Sequence, residues 1–191
     1  MKSDKIRCTW CLKDQLYMDY HDKEWGRPVH DDTHLFEMIN LEGAQAGLSW
    51  HTVLKKRENY RKAFDDWNAV KIAKYSEVKI EKLLQNEGII RNRLKVHATV
   101  GNAKAFLQIQ KEFGSFDKYI WQFVNYKTIV NHPLSLKGLP AKTKESDAMS
   151  KDLLKRGFKF VGSTICYAYM QAVGMVDDHM EDCWRKKKGI Q

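Results

Sequence analysis

The spacing with the clearest chemical promise is His179-x-x-x-Cys183, an i, i+4 pair whose side chains a helical turn aims at one point. Near the other end stand Cys8, Cys11 and His21. Two ligands from each end would complete a tetrahedral site, and zinc suits mixed thiolate and imidazole ligands. Spacing leaves the N-terminal pair open: Cys8 with Cys11 is the short-spaced option, Cys8 with His21 the longer one. A closed four-ligand site would be structural, clipping both termini to the body of the chain. The rival reading makes the pairing accidental and Cys8 a small buried hydrophobe.

A second concentration of chemistry lies in Leu41-Glu42-Gly43-Ala44-Gln45-Ala46-Gly47-Leu48-Ser49-Trp50. Its small residues let another object approach the backbone closely. A carboxylate in such a place can accept hydrogen bonds from a nitrogenous base, whose exocyclic amine and ring N–H are donors. Trp50 offers a flat face on which a base can stack, worth ~1–3 kcal/mol. Trp10, Tyr17, Tyr20 and Trp25 add aromatic company, although each alone reads more readily as core than as pocket.

The third feature is Gly88-Ile89-Ile90-Arg91-Asn92-Arg93-Leu94-Lys95, a turn between two helical patterns. It places backbone amides at a helix N-terminus among Arg91, Arg93 and Lys95, the way a helix-hairpin-helix takes hold of DNA phosphate without reading sequence. A solvated charged face is the competing interpretation.

The elements that must position these groups are helical nearly throughout from Asp32 onward. Leu35, Phe36, Met38 and Ile39 begin one helix after the cap region Asp31-Asp32-Thr33. Trp50, Val53, Leu54 and Phe64 mark the next, with Ser49 as N-cap. Ile80, Leu83 and Leu84 form a short amphipathic helix stopping near Gly88, where a glycine can take the left-handed conformation. Val96, Val100, Ala103 and Leu107 form one core stripe, and Phe116, Tyr119, Ile120, Phe123 and Val124 another after Gly114-Ser115. Pro133 and Pro140 suggest a long loop from Asn125 to Lys144. Helices over about Asp147 to Arg156 and Thr164 to Val173 follow, stopped by Gly157 and Gly174. The expected fold is all-α, a single helical domain over 1–191 with a loose N-terminal segment and a basic tail, Arg185 to Lys188.

Composition sets the frame. The 191 residues suffice for one compact core. Lysine and arginine give a net charge of +9, which favours a polyanionic partner, although it can also serve solubility alone. The sequence has no apolar run long enough to span a bilayer, and Met1 to Arg7 lacks a signal-peptide core, so a cytoplasmic protein with no membrane partner is expected. In that compartment four cysteines argue for metal, catalysis or burial before disulfides.

Taken together the motifs resemble the 3-methyladenine DNA glycosylase I family, a branch of the helix-hairpin-helix glycosylases, over nearly the whole chain. The resemblance runs through Arg7-Cys8-Thr9-Trp10, Tyr20-His21-Asp22-Lys23-Glu24-Trp25-Gly26, Leu35-Phe36-Glu37-Met38 and Leu41-Glu42-Gly43 with Gln45-Ala46-Gly47-Leu48-Ser49-Trp50. It continues through Leu54-Lys55-Lys56-Arg57-Glu58, Gly88-Ile89-Ile90-Arg91, Gly157-Phe158-Lys159-Phe160-Val161-Gly162 and the closing His179-x-x-x-Cys183.

The resemblance implies one structural zinc per chain on Cys8, His21, His179 and Cys183, with Cys11 a bystander. It implies that Glu42 and Tyr20 hydrogen-bond a base flipped out of double-stranded DNA, while Trp50 and Trp10 sandwich it. Gly47 and Leu48 match the part of the family that enters the gap left in the DNA, with Gln45 beside them. Gly88, Arg91, Arg93 and Lys95 would meet phosphate, although Gly88-Ile89-Ile90-Arg91 only loosely matches the superfamily's glycine-x-glycine turn. The implied reaction is hydrolytic excision of 3-methyladenine from alkylated DNA by a monomer, with the free base as product. The catalytic aspartate of the superfamily is missing from this family, so Glu42 serves chiefly recognition and electrostatics. No lysine is offered as a Schiff-base nucleophile, so base removal without strand cleavage is expected. Two alternatives stand beside it: a non-enzymatic, zinc-clipped DNA-binding module, and an enzyme with a wider range of alkylated bases.

Overall fold

Most helices in this protein begin where a side chain is present to cap them. The computed structural model describes residues 5–187; Lys188, the end of the basic tail, lies outside them. Asp14 accepts the amide of Tyr17 and starts α1 (Gln15–Lys23), and Asp31 accepts that of His34 and starts α2 (Asp32–Gln45). Ser49 caps α3 (Trp50–Ala63) through the amide of Thr52, as its place in the sequence suggests. A short helix α4 (Ala69–Ile72) leads into α5 (Glu77–Leu84). Asn92 then caps the long helix α6 (Arg93–Phe113), and Ser115 caps α7 (Phe116–Trp121). Thr143 and Ser146 form a reciprocal capping box at the start of α8 (Lys144–Lys155), which is followed by α9 (Ser163–Ala172) and the terminal turn α10 (Trp184–Lys187).

The N-terminal segment is not loose. Helix α1 escapes an apolar count because its buried face is made of tyrosine and histidine: Tyr20 and His21 are buried and Tyr17 half-buried. The 125–144 stretch is also more ordered than a plain loop. It carries β1 (Ile129–Val130), which pairs in parallel with β2 (Val176–Asp177), and a turn of 3-10 helix at Leu136–Gly138. Two-residue strands are too short to leave a period in the sequence. The short helix α5 ends at Leu84 on Gln85, and Gly88 is not left-handed. Gly88 is instead demanded by crowding, since a Cβ there would sit 2.9 Å from Asn86 Oδ1 and 3.0 Å from Asn59 Cβ.

Helix α2 is the axis of the core, with every residue from Leu35 to Ala44 buried between α3, α6, α7 and α9. Burying three polar side chains in such a helix costs free energy unless each finds a partner. Glu37 finds Arg57 and Arg61, both reaching its Oε1 at 2.9 Å. Asn40 pairs with Asn102 at 3.0 Å and donates to Phe36 O at 2.8 Å. Glu42 is the exception: its Oε2 is buried without a partner.

The chain between α1 and α2 is fastened to the end of α9, with Gly26 N donating to Gln171 O at 3.1 Å and Val29 N to Val173 O at 3.1 Å. Gly174 lies against this strap with φ +72°, and a Cβ would fall 2.2 Å from the carbonyl carbon of Arg27. Gly174→Ala is expected to lose more than about 2 kcal/mol, the left-handed backbone strain adding to displacement of the strap. A urea titration showing an unchanged midpoint would contradict it. Among the described residues, no helix is long and apolar enough to cross a membrane.

Candidate active site

Where α1, α2, α3 and α9 converge they leave a pocket of about 200 Å³. Aromatic side chains make most of its wall: Trp10 from the N-terminal turn, Tyr17 and Tyr20 from α1, Trp25 just after it, and Trp50 at the start of α3. Trp10 stands edge-on to Tyr17 at 4.9 Å and to Trp25 at 5.0 Å, and Tyr20 is tilted against Trp50 at 5.4 Å. These contacts fix the rings before any ligand arrives, so little ordering entropy remains for binding. The same packing lets α1 present tyrosines one helical turn apart to the same cavity.

The polar content of the pocket is sparse and concentrated. Glu42 reaches it from α2, and burial pushes its carboxyl up to about 8. No cation or hydrogen bond offsets that desolvation, so a positively charged ligand would be the missing partner. Burial, then Glu42, raises the phenols of Tyr17, to about 12, and of Tyr20. Both therefore remain hydrogen-bond donors. Trp50 Nε1 is a second buried polar atom without a partner. Gln171 of α9 completes this set, its Nε2 held by the buried carboxylate of Asp178 at 2.7 Å.

Of the base-handling residues expected from the sequence, the structure brings Glu42, Tyr20, Trp50 and Trp10 to one cavity, with Gln45 at its edge. Tyr17 and Trp25, singled out only as aromatic company, line it too. Leu136, Leu139, Ala168 and Gln171 also line it, and nothing in their local sequence marks them. They arrive by tertiary folding of the 125–144 stretch and α9. Gly47 and Leu48 lie outside, on the turn from α2 to α3. Gly47 has φ +78° with open space beside it, and Leu48 is 44% exposed, an apolar side chain presented to whatever meets this surface.

The hairpin between α5 and α6 is held by one local bond, Gly88 N to Asn86 Oδ1 at 2.8 Å, and one to α3, Ile90 N to Tyr60 Oη at 3.2 Å. Its cations differ in where they point. Arg91 is exposed, 3.6 Å from Glu87, and Arg93 is exposed but forks onto Glu81 at 2.5 and 3.0 Å. Lys95 departs from the expected phosphate-facing arrangement. Its ammonium turns inward and donates to Ala44 O and Ala46 O, both at 2.7 Å.

At the far end of α1 the segments around Cys8 and Cys183 meet. Cys8, His21 and Cys183 converge with their ligand atoms all within 4.8 Å of one another, and all three are buried. His21 Nε2 lies 3.4 Å from Cys183 Sγ, while its Nδ1 is fixed by Asp22 at 2.8 Å. His179 packs edge-on to His21 at 5.1 Å; its Nδ1 is fixed by Asp177 at 2.7 Å and its Nε2 is buried with no partner. Each imidazole is thus oriented by a carboxylate through one nitrogen, the arrangement metal-binding histidines use. Cys11 is buried alongside, but its thiol donates to Cys8 O at 3.1 Å.

Comparison with known proteins gives one consistent result. Residues 10–186 match the methyladenine glycosylase family. A protein of Haemophilus influenzae named DNA-3-methyladenine glycosylase is 54% identical over 177 residues, covering 93% of this chain and 96% of its own. A crystal structure of a 3-methyladenine DNA glycosylase I superposes with a TM-score of 0.92 at 51% identity, covering 94% of this chain and 98% of that one. A tyrosine-to-phenylalanine variant of such an enzyme, solved in complex with 3-methyladenine, superposes with a TM-score of 0.91 at 36% identity, covering 94% and 97%.

Proposed function

The chain belongs to the methyladenine glycosylase family, and from that premise we infer that it is a DNA-3-methyladenine glycosylase, a hydrolase that cuts the N-glycosidic bond of 3-methyladenine in DNA. The observation that carries the assignment within this chain is a buried, unpartnered carboxyl, Glu42, inside an aromatic pocket. Methylation at N3 leaves the nucleoside cationic, so the base departs neutral and needs little acid catalysis. A pocket that prefers the cation to ordinary adenine selects the lesion and holds it out of the stack while water adds at the sugar.

Within that reaction the residues take distinct parts. Glu42 accepts from the base and balances its charge; Tyr20 donates to it; Trp50 and Trp10 bracket it. Leu48, with Gly47 and Gln45 beside it, fills the gap the base leaves in the duplex. The hairpin around Gly88, with Arg91 and Arg93 exposed on it, grips the phosphate backbone and sets register without choosing the base. None of the pocket-lining side chains is a lysine, which fits base removal without a Schiff base and without strand cleavage.

Cys8, His21, Cys183 and His179 would hold a zinc ion, whose part is to clasp the two ends of one helical unit outside the chemistry. The orphaned His179 Nε2 and the two carboxylate-oriented rings support that donor set. The enzyme would act as a monomer in the cytoplasm.

Incubation with methylated duplex and chromatography of the released bases tests the assignment. Free 3-methyladenine with an unbroken sugar-phosphate strand is the expected product. Salt-dependent binding with no base released would leave only a DNA-binding module and overturn the enzyme reading.

A further inference from the structure

The last four carbonyls of a helix have no partner within it, and those of α2 sit where the base-reading residues are carried. Two of the terminal carbonyls are taken by the turn itself: Gly43 O accepts Ala46 N at 3.3 Å and Gln45 O accepts Leu48 N at 2.6 Å. The two that alternate with them, Ala44 O and Ala46 O, accept the ammonium of Lys95. A cation at this end also meets the negative pole of the α2 dipole. Lys95 reaches it from the first turn of α6, where its own amide is capped by Asn92 Oδ1 at 3.1 Å. Phe160 closes the other side, its ring 6.0 Å from Lys95 Nζ and its backbone against Gly43.

We propose that Lys95 is a positioning residue: it ties the first turn of the DNA-gripping hairpin helix to the end of α2, and so fixes the last turn of α2 and the Ala46 to Leu48 turn that follows it relative to the hairpin. Glu42 and Gln45 stand in that last helical turn and Leu48 at the exposed tip beyond it. Docking of the hairpin on phosphate then delivers Leu48 to the duplex and Glu42 to the flipped base in one geometry. The ammonium is spent on backbone and makes no phosphate contact.

This inference rests on the assignment of 3-methyladenine excision, and the wild-type protein run in parallel separates the two: no release by wild type defeats the assignment, not the role of Lys95. The test compares wild type, Lys95→Met and Lys95→Arg on methylated duplex, and measures affinity for undamaged duplex against salt. With Lys95→Met, single-turnover excision at saturating DNA is expected to fall about 10- to 100-fold, the scale of a misplaced reacting group. The salt slope of binding stays at the wild-type value, and Lys95→Arg, which keeps the charge and two donors, recovers most of the loss. A slope lower by about 1 with unchanged excision at saturation is the signature of a phosphate ligand and would overturn the proposal. A fall in melting temperature with full excision at saturation would reduce Lys95 to a structural brace and overturn it equally. Should Lys95→Met not fold, reductive methylation of the wild-type protein decides: Lys95 is expected to react slowly with or without duplex. Fast reaction that DNA suppresses would defeat the idea.

Discussion

Glu42→Gln is expected to lower kcat/KM for 3-methyladenine release about 10- to 100-fold while leaving the protein at least as stable as the wild type. The first half follows from losing a charge-assisted hydrogen bond to a cationic base, worth about 1.5–3 kcal/mol. The second follows from the site: Glu42 is 3% exposed with an unpartnered Oε2, so an amide of the same shape forfeits no ion pair and escapes the cost of burying a carboxylate. Parallel kinetics and thermal melts separate the two effects. Full activity in a folded variant would remove Glu42 from base recognition.

The same residue carries a pH signature. Burial raises its carboxyl from 4.5 to about 8. Between those values the unfolded chain is ionised while the folded protein keeps the proton. The contribution to stability is therefore largest at and below 4.5 and declines as pH rises to about 8, by roughly 1.4 kcal/mol per pH unit. Carboxylates held low, such as Asp22 with Arg7 and His21, slope the other way at acid pH, so the readout is the difference between wild type and Glu42→Gln. Excision should mirror it. If the ionised form captures the cationic base, kcat/KM rises with pH toward about 8 and the rise vanishes in Glu42→Gln. Identical profiles in both proteins would show that Glu42 is not the titrating group.

The second large effect concerns the clasp. Metal analysis of the purified protein is expected to find about one zinc per chain, and Cys183→Ser to lose it. A site that binds zinc with free metal about 1,000-fold above its dissociation constant stabilises by about 4 kcal/mol, and for a chain of this size each kcal/mol moves the melting temperature by about 2–4 °C. Loss of the metal should thus lower it by roughly 8–16 °C. Excision per folded molecule should change far less, because the Cys8, His21 and Cys183 cluster lies outside the pocket lining. Metal-free native protein, or a Cys183→Ser melt at the wild-type temperature, would end the zinc reading.

Much of the molecule is legible along the chain because its physics is local. Caps such as Asp31 and Ser49 act within one helical turn, and the apolar stripes of α2, α3 and α6 repeat at the helical period. The oddly composed segment from Leu41 to Trp50 and the closing His179 and Cys183 announce unusual duty through residue type alone. Local patterning fails where the buried surface is not aliphatic, so α1, with its tyrosine and histidine face, passes for a loose segment. It fails again where a partner is remote in sequence. Gln171 and Leu139 enter the pocket, and β1 finds β2, only when distant segments close on each other.

Charge type is a property of the residue, but charge placement is a property of the fold. Arg91, Arg93 and Lys95 read alike as a basic turn, yet the fold leaves Arg91 exposed, forks Arg93 onto Glu81 and spends Lys95 on the carbonyls of α2. The sequence by itself determined a basic, helical chain with a carboxylate among small and aromatic residues. Only the tertiary structure decided that this carboxylate would be buried without a partner, because desolvation depends on the remote elements packed around it, which the neighbouring residues in the chain do not specify.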